Sequence, residues 1–125
     1  AMGLANARVL CERAETVGDR SGREAYDVVT VRAVGRLATL AELAAPLLER
    51  PGTLVAWKGR RDPAEESELA RAAEELGMRV GPVLPVGPYA GSANRHLHVV
   101  TKIAATPRRF PRRPGVAKKR PLGVV

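Results

Sequence analysis

Only four aromatic side chains occur in the 125 residues: Tyr26, Trp57, Tyr89 and Phe110. That is too few for the stacking sheets with which single-strand RNA modules hold bases. A single cysteine, Cys11, excludes an internal disulfide and fits a reducing cytoplasm. It follows "VL" and reads as a small buried residue. No apolar run reaches the length of a membrane span. The opening "AMGLANARVL" lacks the ordered basic, apolar and small-residue regions of a secretory leader. The twelve glycines are scattered, and no G-x-G-x-x-G occurs, so a glycine-rich nucleotide loop of that type is absent. His96 and His98 have no third ligand at a recognisable spacing, which argues against a metal site and for packing or hydrogen bonding.

Acid is also absent from the last 22 residues. The net charge is +8, and residues 104–125 supply +7 of it through Arg108, Arg109, Arg112, Arg113, Lys118, Lys119 and Arg120. Residues 1–103 are nearly neutral, with 14 basic and 13 acidic side chains. Basicity is thus a property of the chain's end. It suits an arm for a polyanion, or else a solvated tail. In "PRRFPRRPGVAKKRPL" prolines alternate with cations, which predicts an extended segment rather than a helix. Phe110 would pin it to the domain or stack on a base.

The remainder predicts one compact domain of α/β class. "ARVLCE" (7–12) reads as a strand and "GDRSGRE" (18–24) as a loop. "YDVVTVRAV" (26–34) is nearly continuously apolar, which predicts a strand of a parallel sheet buried on both faces. Leu37, Leu40, Ala41, Ala44, Leu47 and Leu48 fall at helical spacing; Pro46 weakens that helix and "RPG" (50–52) closes it. "TLVAWK" (53–58) is another strand. Asp62 and Pro63 start a second helix as N-cap and first residue, with Glu65 placed for a capping box and Gly77 as the stop. "MRVGPVLPVG" (78–87), broken by Gly and Pro, predicts a strand near an edge. "RHLHVVTKIA" (95–104) is the last strand. This order resembles the second half of a Rossmann-like class I methyltransferase sheet, mixed and ending in an antiparallel hairpin, and the chain reads as a C-terminal piece of a larger domain.

Five stretches carry a closer likeness: "GLANARVLCERAE" (3–15), "YDVVTVRAV" (26–34), "LVAWKG" (54–59), "RHLHVVTKIAATP" (95–107) and "FPRRPGVAKKRPL" (110–122). In this order they resemble the C-terminal half of the small-subunit (16S) rRNA guanine-N7 methyltransferase G family, also called glucose-inhibited division protein B. The resemblance implies a Rossmann-like fold. It also implies transfer of a methyl group from S-adenosyl-L-methionine to N7 of a guanine in 16S rRNA, in a cytoplasmic monomer acting on rRNA or a small ribosomal subunit precursor. The family's N-terminal helices, glycine-rich loop and acidic ribose-binding strand end have no counterpart here. The expected division is therefore a partial methyltransferase domain over 1–105, binding cofactor weakly by itself, and a basic proline-rich arm over 106–125.

Ligands of open α/β sheets sit beyond the carboxyl ends of the strands. Arg13-Ala14-Glu15 follows the first strand. The Glu15 carboxylate can accept from an adenine amino group, Ala14 lets a ring approach the backbone, and Arg13 can steer RNA; the resemblance implies the cofactor pairing. Arg32, set among apolar residues, needs a partner. That partner is a cofactor or guanine, or a structural acid, Asp27 or Glu42. Lys58 ends the third strand and Arg95 opens the last, both placed for an RNA phosphate or guanine O6. Arg112, Arg113, Lys118 and Lys119 of the arm complete the RNA-facing set. Two other functions fit the residues: a non-catalytic RNA-binding module, and a methyltransferase with another substrate.

Overall fold

The computed structural model describes residues 5–32, 35–87 and 89–124. Its elements run α1 (Ala14–Gly18), β1 (Tyr26–Arg32), α2 (Leu37–Ala44), a 3-10 turn (Ala45–Leu47), β2 (Leu48–Lys58), α3 (Pro63–Leu76), β3 (Met78–Pro85), β4 (His96–Lys102) and α4 (Val116–Lys119). The sheet order is β1-β2-β4-β3. β1 and β2 are parallel, joined through α2; β4 runs antiparallel to both β2 and β3. The mixed sheet with its terminal antiparallel hairpin is therefore as the sequence predicts.

Local chemistry explains the boundaries. Asp62 caps α3 by accepting from the amides of Ala64 and Glu65 at 3.0 and 3.3 Å. Gly77 ends the helix in the left-handed region at φ 74°, where a side chain would be strained. Glu65 does not close the expected capping box; its carboxylate is used elsewhere, as described below. Pro46 converts the end of the α2 segment to 3-10 geometry, since it cannot donate to the helical ladder. "RPG" does not close a helix but lies inside β2. Leu48 pairs with Tyr26 and Thr53 with Val28, so the extra residues between them bulge from the ladder.

The core lies on one face of the sheet. Leu54 and Ala56 of β2 pair with Val100 and His98 of β4, and all four are buried. α2 and α3 cover them with Leu37, Leu40, Ala41, Ala44, Leu69, Ala72, Ala73 and Leu76. Strand side chains alternate between faces, so Val55, Trp57, Leu97 and Val99 point the other way and are only partly buried.

Three expectations are corrected. Residues 7–12 form no strand; Val9 is 86% exposed and Cys11 is exposed rather than buried. In the classic doubly wound order two strands lie between the third and the fourth. With 7–12 as the third and β1 as the fourth, the strands between them are not among the described residues, and an unpaired strand has no ladder to join. Second, β1 is not buried on both faces: it is an edge strand, with Val28 54% exposed. Its expected last residues, Ala33 and Val34, lie outside the described residues. Third, the segment after β4 is not an extended arm. It folds back over α1 and α2 as a strap. Phe110 is 1% exposed within the core, and α4 forms a single turn in the strap. Arg23 fixes its start by donating to the carbonyls of Phe110 (2.7 Å) and Thr106 (3.2 Å).

One ion pair crosses the domain beneath the strap. Lys102 is fully buried and pairs with Glu24 at 2.8 Å. Burial lowers the Lys102 pKa despite the pair, whereas at Glu24, with 39% of its side chain exposed, the bond from Lys102 outweighs burial and holds the carboxyl below its ordinary 4.5. A depressed carboxyl contributes its stability above the unfolded-state pKa and loses it as pH falls through the folded value. Thermal midpoints should therefore drop as the pH is lowered below about 4.5, and Glu24→Gln should flatten that drop. A pH profile identical in both proteins would remove Glu24 from the acid response.

Candidate functional site

Two groups of charged residues sit where the topology can present them. The first is at the carboxyl ends of β1 and β2. Arg32 pairs in register with Trp57, and Lys58 with His96 at the start of β4, so Arg32, Lys58 and Arg95 share one end of the sheet. Arg32 is exposed and stacks over the Trp57 ring at 5.4 Å. The alternative of a structural acid, Asp27 or Glu42, is not met: among the described residues Arg32 forms no ion pair, and Glu42 is taken by Arg112. Lys58 points to the helical face and is held there. It pairs with Glu65 at 2.9 Å and donates to the Gly35 carbonyl at 2.8 Å. Glu65 also accepts from the Leu37 amide at 2.8 Å. Lys58 and Glu65 thus tie the turn after β1 to the starts of α2 and α3. Arg95 is exposed, and next to it His96 Nδ1 lies 2.8 Å from the Gly59 carbonyl. His98 is buried and its pKa is lowered by burial. No metal-binding cluster occurs among the described residues.

The second group joins α1 to the strap. Glu15 is 7% exposed. Its Oε2 accepts from the Gly115 amide at 2.9 Å and lies 3.6 Å from Arg13. Burial by itself would raise the Glu15 pKa, but the amides of Gly115 and Glu15 and the Arg13 charge outweigh it and hold the carboxyl low. Thr39 of α2 donates to the Ala117 carbonyl at 3.1 Å. Arg112 forks onto Glu42, which is 1% exposed, with bonds of 2.8 and 2.5 Å, and donates to the Arg120 carbonyl at 2.7 Å. Arg112 is therefore spent on holding the strap. Arg113, Lys118 and Lys119 are exposed and, among the described residues, form no ion pair. Arg113 and Lys119 line an open concavity of about 810 Å³ together with Arg112, Gly115 and Arg120, whereas Lys118 faces the hollow described next.

Ala14 and Glu15 line a separate hollow of about 260 Å³, closed by Arg13, Thr39, Leu43, Ala117 and Lys118. That is below the roughly 300–1,000 Å³ typical of whole small-molecule sites. Among the described residues no bond or shared cavity brings Arg32 to Ala14 and Glu15. Sequence reasoning missed Gly115, Thr39 and Glu42 as partners of the basic segment. The "PG" turn signal at Pro114–Gly115 was the one local cue; Gly115 indeed adopts φ 88°. The partnership of Glu42 with Arg112 spans 70 residues and leaves no mark in either neighbourhood.

Comparison with known proteins accounts for the shared pattern. The family model for rRNA small subunit methyltransferase G matches residues 1–88. A ribosomal RNA small subunit methyltransferase G of Chloroflexus aggregans is 50% identical over 95% of this chain and 50% of its own length. That of Deinococcus deserti is 48% identical over 98% of this chain and 50% of its own, and that of Limosilactobacillus reuteri 35% over 97% and 51%. Among solved structures, the M1.HpyAVI–SAM complex aligns at 16% identity and a TM-score of 0.49, covering 76% of this chain and 55% of that one. The chain spans about half the length of the curated relatives it matches. It belongs to the rRNA small subunit methyltransferase G family.

Proposed function

We propose that this chain is the RNA-facing part of a cytoplasmic enzyme that methylates N7 of a guanine in 16S rRNA, acting as a monomer on rRNA or a small ribosomal subunit precursor. Membership of the family carries the reading. S-adenosyl-L-methionine supplies the methyl group when bound. The Ala14–Glu15 backbone and Arg32 contribute only part of its seat, the rest coming from the half of the relatives that this chain does not span.

The lack of a catalytic base among these residues is compatible with the reaction. Guanine N7 carries a lone pair and no proton, so it needs alignment rather than deprotonation. Holding two reactants in line supplies roughly 7–11 kcal/mol of barrier reduction. In this reading Arg95, at the same end of the sheet as Arg32, holds phosphate or guanine O6, an acceptor that cations read. Arg13, Arg113, Lys118 and Lys119 hold the backbone. Lys58 acts from beneath, by fixing the turn after β1.

A protein of the relatives' full length, given tritiated S-adenosylmethionine and small ribosomal subunits, should label N7 of one guanine, read by cleavage at the modified base. Label on another base, or none, would refute the assignment. The binding half of the reading is tested on this chain. Replacing Arg113, Lys118 and Lys119 together with alanine should flatten the log–log salt dependence of RNA affinity by about 2, at roughly 0.7 per single-strand phosphate. Sequence preference should not change. An unchanged slope would show that the strap does not hold RNA. The second reading, a non-catalytic RNA-binding module, is favoured by one observation: the exposed cations Arg113, Lys118 and Lys119 are mounted on a folded strap. It predicts RNA binding without label in the full-length protein.

A further inference from the structure

Glu15 sits in the motif assigned to the cofactor, yet its carboxylate is directed at the far end of the chain. It is almost fully buried, and its Oε2 accepts from the amide of Gly115, 100 residues away in sequence. Gly115 lies in the middle of the basic strap, directly before α4. Arg113 precedes it by two residues, and Lys118 and Lys119 follow on α4. Its φ of 88° is one a side chain rarely adopts. A second bond, from Thr39 to the Ala117 carbonyl, holds the other side of this turn, and the hollow between the two bonds is walled by Arg13, Ala14 and Lys118.

We propose that Glu15 is a positioning residue for RNA capture: its bond to the Gly115 amide seats the strap so that Arg113, Lys118 and Lys119 form one fixed cationic array. The inference rests on the reading of the strap as an RNA-holding element. An array held in place loses less freedom on binding than the same charges on a mobile tail. The role has an unusual sign. Glu15 is an anion close to a polyanion site, so by charge alone its removal would tighten RNA binding. As a tether, its removal should loosen it.

The test measures two things on the intact chain and on Glu15→Ala and Glu15→Gln: amide hydrogen exchange of residues 113–120 without RNA, and affinity for a labelled 16S rRNA fragment at fixed salt. Glu15→Ala should speed exchange at Gly115 and along α4 and weaken RNA binding about 5–10-fold, the scale of one charge-assisted hydrogen bond partly recovered by water. Glu15→Gln, which keeps an acceptor oxygen, should lie between it and the intact chain. Unchanged strap exchange in Glu15→Ala would overturn the tether. Faster exchange with equal or tighter RNA binding would overturn its role in capture. If the triple replacement of Arg113, Lys118 and Lys119 also leaves RNA binding unchanged, the RNA reading of the strap falls and the capture role with it. If that replacement weakens binding while Glu15→Ala does not, only the role of Glu15 falls.

Discussion

Replacing Arg112 with alanine should lower the unfolding free energy by about 3–5 kcal/mol, the usual loss when a buried ion pair is broken from one side. The partner left behind is Glu42 on α2, which is 1% exposed. Arg112 reaches both of its carboxylate oxygens and also ties the Arg120 carbonyl. The pair holds Arg112 above its ordinary pKa, chiefly through the hydrogen bond to Glu42. Without the guanidinium, the carboxylate has no other ion-pair partner among the described residues. The cost is the unpaired charge rather than the worth of the pair. The double variant Arg112→Met, Glu42→Leu should therefore recover most of the loss, because apolar replacements of similar volume remove both charges together. Urea unfolding of the three variants decides this. A single-variant loss below about 1 kcal/mol, the level of an exposed pair, would mean that the strap is not held by this contact.

Lys102→Ala should cost a similar amount, about 3–5 kcal/mol, for a different combination of reasons. The ammonium is fully buried and donates to the Leu48 carbonyl (2.6 Å), the Ala45 carbonyl (2.9 Å) and Glu24 (2.8 Å). Alanine leaves a cavity where the four-carbon stem was, and it orphans the Leu48 carbonyl. The Ala45 carbonyl keeps a bond from Thr106 at 3.0 Å. Lys102→Met fills the cavity without restoring the donors. It should lose only about 1–3 kcal/mol, the penalty of a buried unsatisfied acceptor. If methionine and alanine were equally damaging, the stem's packing would be unimportant and the ammonium would account for the whole effect.

These two residues show where sequence reasoning reaches and where it stops. The helix start at Asp62–Pro63, the stop at Gly77 and the terminal hairpin follow from nearest-neighbour chemistry, and they occur as read. Arg112 and Lys102 act over separations of 70 and 78 residues, and nothing local distinguishes them from surface cations. The same holds for Lys58, which reads as a strand-end charge and is a tie beneath the sheet. The reading of 7–12 as a strand fails for another reason. Its apolar pattern is real, but a strand is a relation between neighbours, and none is described beside it. Of the candidate site, the sharing of one sheet end by Arg32, Lys58 and Arg95 was visible in the order of the elements. The folding back of the basic segment was not, because its prolines are compatible with either an extended arm or a docked strap.

The strap also bears on the order in which the chain is made. A ribosome releases α1, β1 and α2 long before Arg112 and Gly115 exist. Until residues 110–115 emerge, Glu42 has no guanidinium, Glu15 has no amide to hold, and the part of the core that Phe110 fills is open to water. Contacts that close such long loops form late and slowly. The core elements are thus locked by residues made after them, and a chain cut before Phe110 during synthesis would be left with buried acids and an unfilled core.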